Sequence, residues 1–285
     1  MTTVTTVAAH VPQRSPASGS PATAGRGPRA SGPAPAGSTL ALVGHFEAAD
    51  DLDGLVADLS ARADEGEAAA MTLIATSIEE CMRLRGNPGY ADDLRDIRDR
   101  QMQLRGTAPI PLEFIDRYRS RCRNLALDPN ATPLRARRLR EQAAKLGDPL
   151  ALAGRVAEHG DTMTDEALKQ ALMTIVASGN PYALAALAPE LAVTNRLGTY
   201  SGGVEDALAW QLVACDLGMD CSPTSFVVRQ ACLVGAHCAF ADFRSLVQNF
   251  LAAPASFRRI LFLEQEILAI LRSGNLQALF APEAP

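Results

Sequence analysis

Aromatic side chains are scarce in this sequence, at 5% of 285 residues with a single tryptophan. No run approaches the roughly 18 consecutive apolar residues of a membrane span, so no integral membrane segment is expected. A secretory signal is not visible either: Met1 to Ala9 lacks a basic start, and prolines and glycines break the stretch behind it. Zinc-protease helix, nucleophile elbow, phosphate-binding loop and dinucleotide fingerprint are all missing. The four histidines are scattered: His10 and His45 lie near the start, His159 at a helix end and His237 beside a cysteine. The expected function is therefore non-enzymatic, with no cofactor.

What is abundant is alanine and leucine. With 47% apolar residues overall, this is the composition of closely packed helices. The net charge of −5 is uneven, because the first 37 residues carry Arg14, Arg26 and Arg29 and no acid. An acidic body argues against nucleic acid as a partner. Those 37 residues also hold six prolines and five glycines among Ser, Thr and Ala. They cannot bury enough apolar area to offset chain entropy, so residues 1–37 are expected to be a disordered tail or tether.

From residue 38 to 285 the reading is one all-helical domain. Leu52, Leu55, Val56 and Leu59 recur at helical spacing behind Asp50 and Asp51. Later helix starts are marked by Pro111, by Thr132 with Pro133 as cap and first turn, by Asp148-Pro149, Thr164, Asn180-Pro181 and Ser222-Pro223. Nowhere does an apolar/polar alternation bounded by turns persist, so a sheet is not expected. The loop from Asn195 to Gly203 could divide two subdomains, but Trp210 and its apolar neighbours need a partner, which favours one continuous stack. The carboxyl-terminal segment Phe257 to Leu271 has an apolar arc wider than one stripe, which predicts burial on two sides, with a dimer contact as the alternative.

One turn recurs: Gly66-Glu67 to Ala70, Gly147-Asp148 to Ala151, Gly179-Asn180 to Ala183 and Gly274-Asn275 to Ala278. Glycine suits the left-handed residue closing one helix, Asp or Asn accepts from the first amides of the next, and alanine lets the helices approach. These segments, notably Ala143-Ala144-Lys145-Leu146-Gly147-Asp148-Pro149-Leu150-Ala151, resemble the turns of SEL-like and tetratricopeptide-like α-solenoid repeats. The resemblance covers four short patches without the regular period of those families, since the glycines are 81, 32 and 95 residues apart. It implies an irregular stack of antiparallel helix pairs with a concave face suited to a protein or peptide. The chain is also similar to uncharacterised cysteine-containing bacterial envelope proteins, a likeness that transfers no residue.

Four of the six cysteines form two copies of one motif, Cys215-Asp-Leu-Gly218-Met-Asp-Cys221 and Cys232-Leu-Val-Gly235-Ala-His-Cys238. In each, a cysteine in the last turn of a helix precedes a closing glycine, and the second lies just past the reversal. Cross-pairing would demand about 10 Å of axial shift, more than the roughly 7 Å Cα separation a disulfide tolerates. Local pairs are therefore favoured, leaving Cys81 for Cys122. Free buried thiols in a cytoplasmic protein and a zinc site using His237 remain alternatives. Paired cysteines favour a periplasmic or secreted location, in tension with the absent signal.

Three further features invite chemistry. Glu158-His159-Gly160-Asp161 is the best acid/base cluster and Tyr200-Ser201-Gly202-Gly203 the best pocket loop, which together carry the alternative of a helical enzyme. The third is a basic run, Arg117, Arg119, Arg121 and Arg123 followed by Arg135, Arg137, Arg138 and Arg140. Its expected use is internal charge matching with Asp92, Asp93, Asp96 and Asp99, with an acidic partner as the alternative. The leading functional expectation is a helical protein–protein interaction or scaffold protein, with a structural envelope protein as a further alternative.

Overall fold

The computed structural model describes residues 36–86, 89–103, 108–128, 130–194, 198–235, 238 and 240–280. Residues 1–35 of the expected tail, with His10 and its three arginines, and His237 lie outside them. Among the described residues every regular element is helical and no strand occurs. Residues Pro33–Pro285 cluster as one unit.

Thirteen α-helices follow one another among the described residues. The first three are α1 (Ala36–Ala48), α2 (Leu52–Asp64) and α3 (Ala68–Gly86). Next come α4 (Tyr90–Met102), α5 (Leu112–Ser120) and α6 (Ala131–Lys145). Then α7 (Pro149–His159), α8 (Asp165–Ala177), α9 (Pro181–Val193) and α10 (Val204–Asp216) form the middle of the chain. It ends with α11 (Phe226–Gly235), α12 (Phe243–Leu246), a π turn (Val247–Leu251), α13 (Pro254–Ser273) and a 3₁₀ turn (Leu276–Phe280). Helix α1 begins two residues inside the stretch read as tail.

The recurrent glycines do what their positions demand. Gly66, Gly147, Gly179 and Gly274 have φ of +92°, +84°, +62° and +72°, a region costly for any residue with a Cβ. At the second turn the Asp148 carboxylate accepts from Ala151 N at 2.8 Å and from the Thr72 hydroxyl of α3 at 2.8 Å. It thus caps α7 and ties it to α3, and burial pushes its pKa up. Asn180 Oδ1 accepts from the amides of Tyr182 and Ala183, starting α9. At the first turn Arg62 pairs with Glu67 across the loop at 2.5 Å. Ala70, Ala151 and Ala183 are fully enclosed, which is why an alanine is needed one turn on. The fourth turn leads only into the 3₁₀ segment.

Packing follows a chain of neighbours, α2 on α3, α3 on α6, α6 on α7, α7 on α9, α9 on α10 and α10 on α13. Leucine, isoleucine, valine and alanine fill this main core, with Trp210 buried and its indole N–H donating to Tyr200 O at 3.0 Å. A smaller core holds Ala91 and Leu94 of α4, Ile110, Ile115 of α5, and Cys232 and Leu233 of α11. Tyr90 reaches across it, donating to Leu233 O at 3.0 Å.

Two expectations need correction. The start of α6 is capped by Asp128, whose carboxylate accepts from Asn130 N and Ala131 N, while Thr132 lies inside the first turn and accepts from Asp128 N. Ser222-Pro223 is a turn, and α11 starts later, with the Ser225 hydroxyl accepting from Val228 N. Helix α13 buries Ile260, Leu263, Ile267 and Leu268 and packs Phe257, Leu261, Ile270 and Leu271 partly against the same core, and of the expected apolar arc Phe262 alone stands 57% exposed. The buried face also takes in Glu264, held by Arg244 at 2.5 and 2.8 Å.

Candidate functional site

Helix α8 packs on α7 and on the carboxyl-terminal 3₁₀ turn and meets α9 only lightly, so the two consecutive helices diverge. Pro189 lies inside α9, where it withholds the amide that Ala185 O would accept. Between the ends of α7, α8 and α9 a cavity of about 330 Å³ opens. Its walls are aliphatic: Val156 from α7, Leu168 and Leu172 from α8, Leu187 and Leu191 from α9. Gly160 closes one side, and a Cβ there would come within 2.7 Å of Val156 O, so this wall tolerates no side chain.

The polar groups at the cleft are few. Asp161, Glu190 and Thr194 line it, and Val193, 77% exposed, stands at its edge. Burial, with the Asp161 charge adding to it, pushes the Glu190 carboxyl above its ordinary range. Neither acid has an ion-pair partner among the described residues. The floor continues past Leu172, Leu187 and Leu191 into a void of about 10 Å³ beside Tyr200, Trp210 and Phe280, at the lower limit of what one water needs. A cavity of this size, apolar with two acidic groups at its rim, has room for an apolar group and would favour a positive charge beside it.

The acid/base cluster read from the sequence is split by the end of α7. Gly160 and Asp161 face the cleft, whereas Glu158 and the 56% exposed His159 line a separate groove with Arg137, Arg140, Lys145 and Arg155. The Tyr200–Gly203 loop does not line the cleft. Tyr200 borders its floor, Gly202 N donates to Leu191 O at 2.7 Å, and Gly203 precedes α10. His45 sits in the last turn of α1, away from both.

No protein-family model, curated protein or solved structure matches this chain.

The cysteines lie apart from the cleft and are all bonded: Cys81–Cys122, Cys215–Cys221 and Cys232–Cys238, with Cα separations of 5.3, 5.7 and 4.7 Å. Sulfurs joined to one another cannot serve as thiolate ligands, so the free-thiol and zinc readings give way. No group of three or more metal-ligating side chains gathers among the described residues. Three disulfides point to an oxidising compartment. No helix among the described residues is long and apolar enough to cross a membrane.

The first half of the basic run is spent internally, mostly on acids other than those expected. Arg117 pairs with Asp50 at 3.0 Å, Arg119 with Asp92 at 3.2 Å and Arg121 with Glu80 at 3.0 Å. Arg121, 4% exposed, also donates to Phe46 O at 2.6 Å and Ala49 O at 2.7 Å and lies over the Phe46 ring. Arg117 and Arg229 both reach Glu47 O, so three guanidiniums meet the carbonyl end of α1, where positive charge is favoured. Burial raises the Glu80 and Glu47 carboxyls and lowers Arg121. The Tyr182 hydroxyl, donating to Glu47 at 3.2 Å, is pushed up to about 12, chiefly by burial.

Sequence reasoning missed the cleft. Its one signal was Pro189-Glu190, a helix breaker and a charge inside the otherwise apolar stretch Pro181 to Val193.

Proposed function

We propose that this protein is a non-enzymatic helical interaction protein of the periplasm or the secreted space. Its α7–α8–α9 cleft receives an apolar side chain of a protein or peptide, and Asp161 and Glu190 take up an adjacent Lys or Arg of that partner. The observation that carries this reading is the aliphatic cavity of about 330 Å³ with two carboxylates at its rim that have no ion-pair partner among the described residues. Binding energy concentrates where a side chain fills a desolvated pocket, and rim charge sets which partner is admitted. The SEL-like and tetratricopeptide-like resemblance supports the same reading, because stacked helix pairs commonly present such grooves. The enzymatic alternative loses support with His159, which lines another groove. A structural envelope role is the second reading, favoured by the bonding of all six cysteines.

The test is fluorescence anisotropy with two labelled peptides that share a leucine anchor and differ in the neighbouring residue, lysine or glutamate. The lysine peptide should bind at least about tenfold tighter. Val193→Lys, which sets a positive charge beside Asp161 and Glu190, should weaken it without changing the helical circular dichroism. Equal affinities for both peptides, or no saturable binding by either, would remove the proposal.

A further inference from the structure

The second half of the basic run is not consumed as the first half is. Arg140 is: its guanidinium is held by Glu79 of α3 and by Glu158 of α7 at 2.8 Å. Its stem crosses α7 at Gly154, where a Cβ would stand 3.2 Å from Arg140 Cδ and Nε. Arg140 is therefore a fixed strut between α6 and α7. Beside it a groove of about 260 Å³ is faced by Arg137 and Lys145 from α6 and by Arg155 from α7. None of these three has a carboxylate partner among the described residues. The Arg155 Nε is shut off from solvent and donates to nothing among the described residues.

The acids present do not cancel this charge. Glu158 and Glu79 are engaged by Arg140, and Arg83 also acts on Glu79. Glu141, exposed on α6, is the remaining carboxylate on the groove. We propose that this groove is a binding site for a phosphate-class oxyanion, with Arg137 and Arg155 as its ligands, Lys145 as a supporting charge and Arg140 as the positioning residue. Three facing cations suit a dianion with several acceptor oxygens better than a single carboxylate. The carbonyl end of α7 disfavours an anion, which places the bound group near Arg155, one turn back from His159.

A free phosphate and a phosphomonoester lipid headgroup share this chemistry, so the experiment has two arms, both on the oxidised full chain at constant ionic strength. Inorganic phosphate is titrated by calorimetry, and phosphatidylcholine vesicles with and without phosphatidic acid are tested by co-sedimentation. Saturable binding in either arm is expected, and the arm that responds identifies the source. Arg137→Gln with Arg155→Gln should weaken it at least about tenfold, while Arg258→Gln, an exposed arginine of α13, should leave it unchanged. Lys145→Gln, at an exposed position in the last turn of α6, provides a milder variant should the double one melt early, and should weaken binding by a smaller factor. No saturable binding in either arm, or equal binding by the variants with intact circular dichroism, would overturn the site.

Discussion

The corner made by α4, α5 and α11 and the stack made by α7, α9 and α10 are held by different forces. In the stack, Leu184, Leu187, Ala209, Leu212 and Val213 are enclosed by other aliphatic groups, and each helix has long apolar neighbours. In the corner, α5 has nine residues and a single buried apolar side chain, Ile115. Just past its end it is tied by the Cys81–Cys122 disulfide and, one residue earlier on each side of the link, by the Glu80–Arg121 ion pair, and Arg117–Asp50, Arg119–Asp92 and Asp116–Arg95 add further pairs along the helix. Cys81 and Cys122 belong to the main core, so their bond ties the corner to it, whereas Cys232–Cys238 lies in the small core itself. A helix too short and polar to bury a stripe depends on covalent and ionic ties, whereas in the stack such ties, Cys215–Cys221 at the end of α10 and Glu205–Arg259 near its start, supplement a full apolar stripe. The candidate cleft lies between α7, α8 and α9, none of which contains a cysteine, so its shape depends on packing.

The sharpest way to break this contrast is Arg121→Ala. It leaves Glu80 buried without a partner and unbinds the carbonyls of Phe46 and Ala49, so a loss at or above about 3–5 kcal/mol is expected in denaturant unfolding. Replacing the pair together, Arg121→Met with Glu80→Leu, should restore part of it. If the single variant cost less than about 1 kcal/mol, the ionic tie would not be what holds the corner.

Next in size is Cys81→Ser with Cys122→Ser, opening a loop closed across a sequence separation of 41. A loss of about 2–4 kcal/mol is expected, with little change in stability when a stack alanine such as Ala185 is changed to serine. Asn180→Ala removes the cap of α9 and should cost about 1 kcal/mol by thermal melting, a test of how far the stack relies on its turns.

The smallest effect concerns the cleft itself. Because burial and Asp161 raise the Glu190 pKa, the folded chain holds that proton to higher pH than the unfolded chain does. This group's contribution to stability therefore falls as pH rises through the window above the ordinary value of 4.5, and Glu190→Gln removes the dependence. Binding runs the other way: the lysine peptide should weaken as pH falls into the same window, and the Gln variant should be weak and flat across it.

The stack was the more legible half. Glycine, an acid or amide and alanine at fixed spacing are local signals, and Gly147-Asp148 and Gly179-Asn180 form the turns that spacing describes. The local cysteine pairs were legible for the same reason, since six residues and a reversal leave few choices. The corner was not. Arg121 meets the carbonyls of Phe46 and Ala49 across more than seventy residues of chain, and nothing near Arg121 distinguishes it from Arg119 or Arg123. The cleft was missed because it arises from divergence of α8 and α9, a tertiary event whose only local trace is Pro189. His159 misled for a related reason: four consecutive residues at a helix end point in different directions, and the end of α7 sends two to each groove.

The most direct measurement is hydrogen exchange of the full chain with and without reductant. The account predicts that on reduction the amides of α4, α5 and α11 lose protection while those of α7, α9 and the body of α10 keep theirs. Uniform loss across both regions, or earlier opening of α9 and α10, would contradict it.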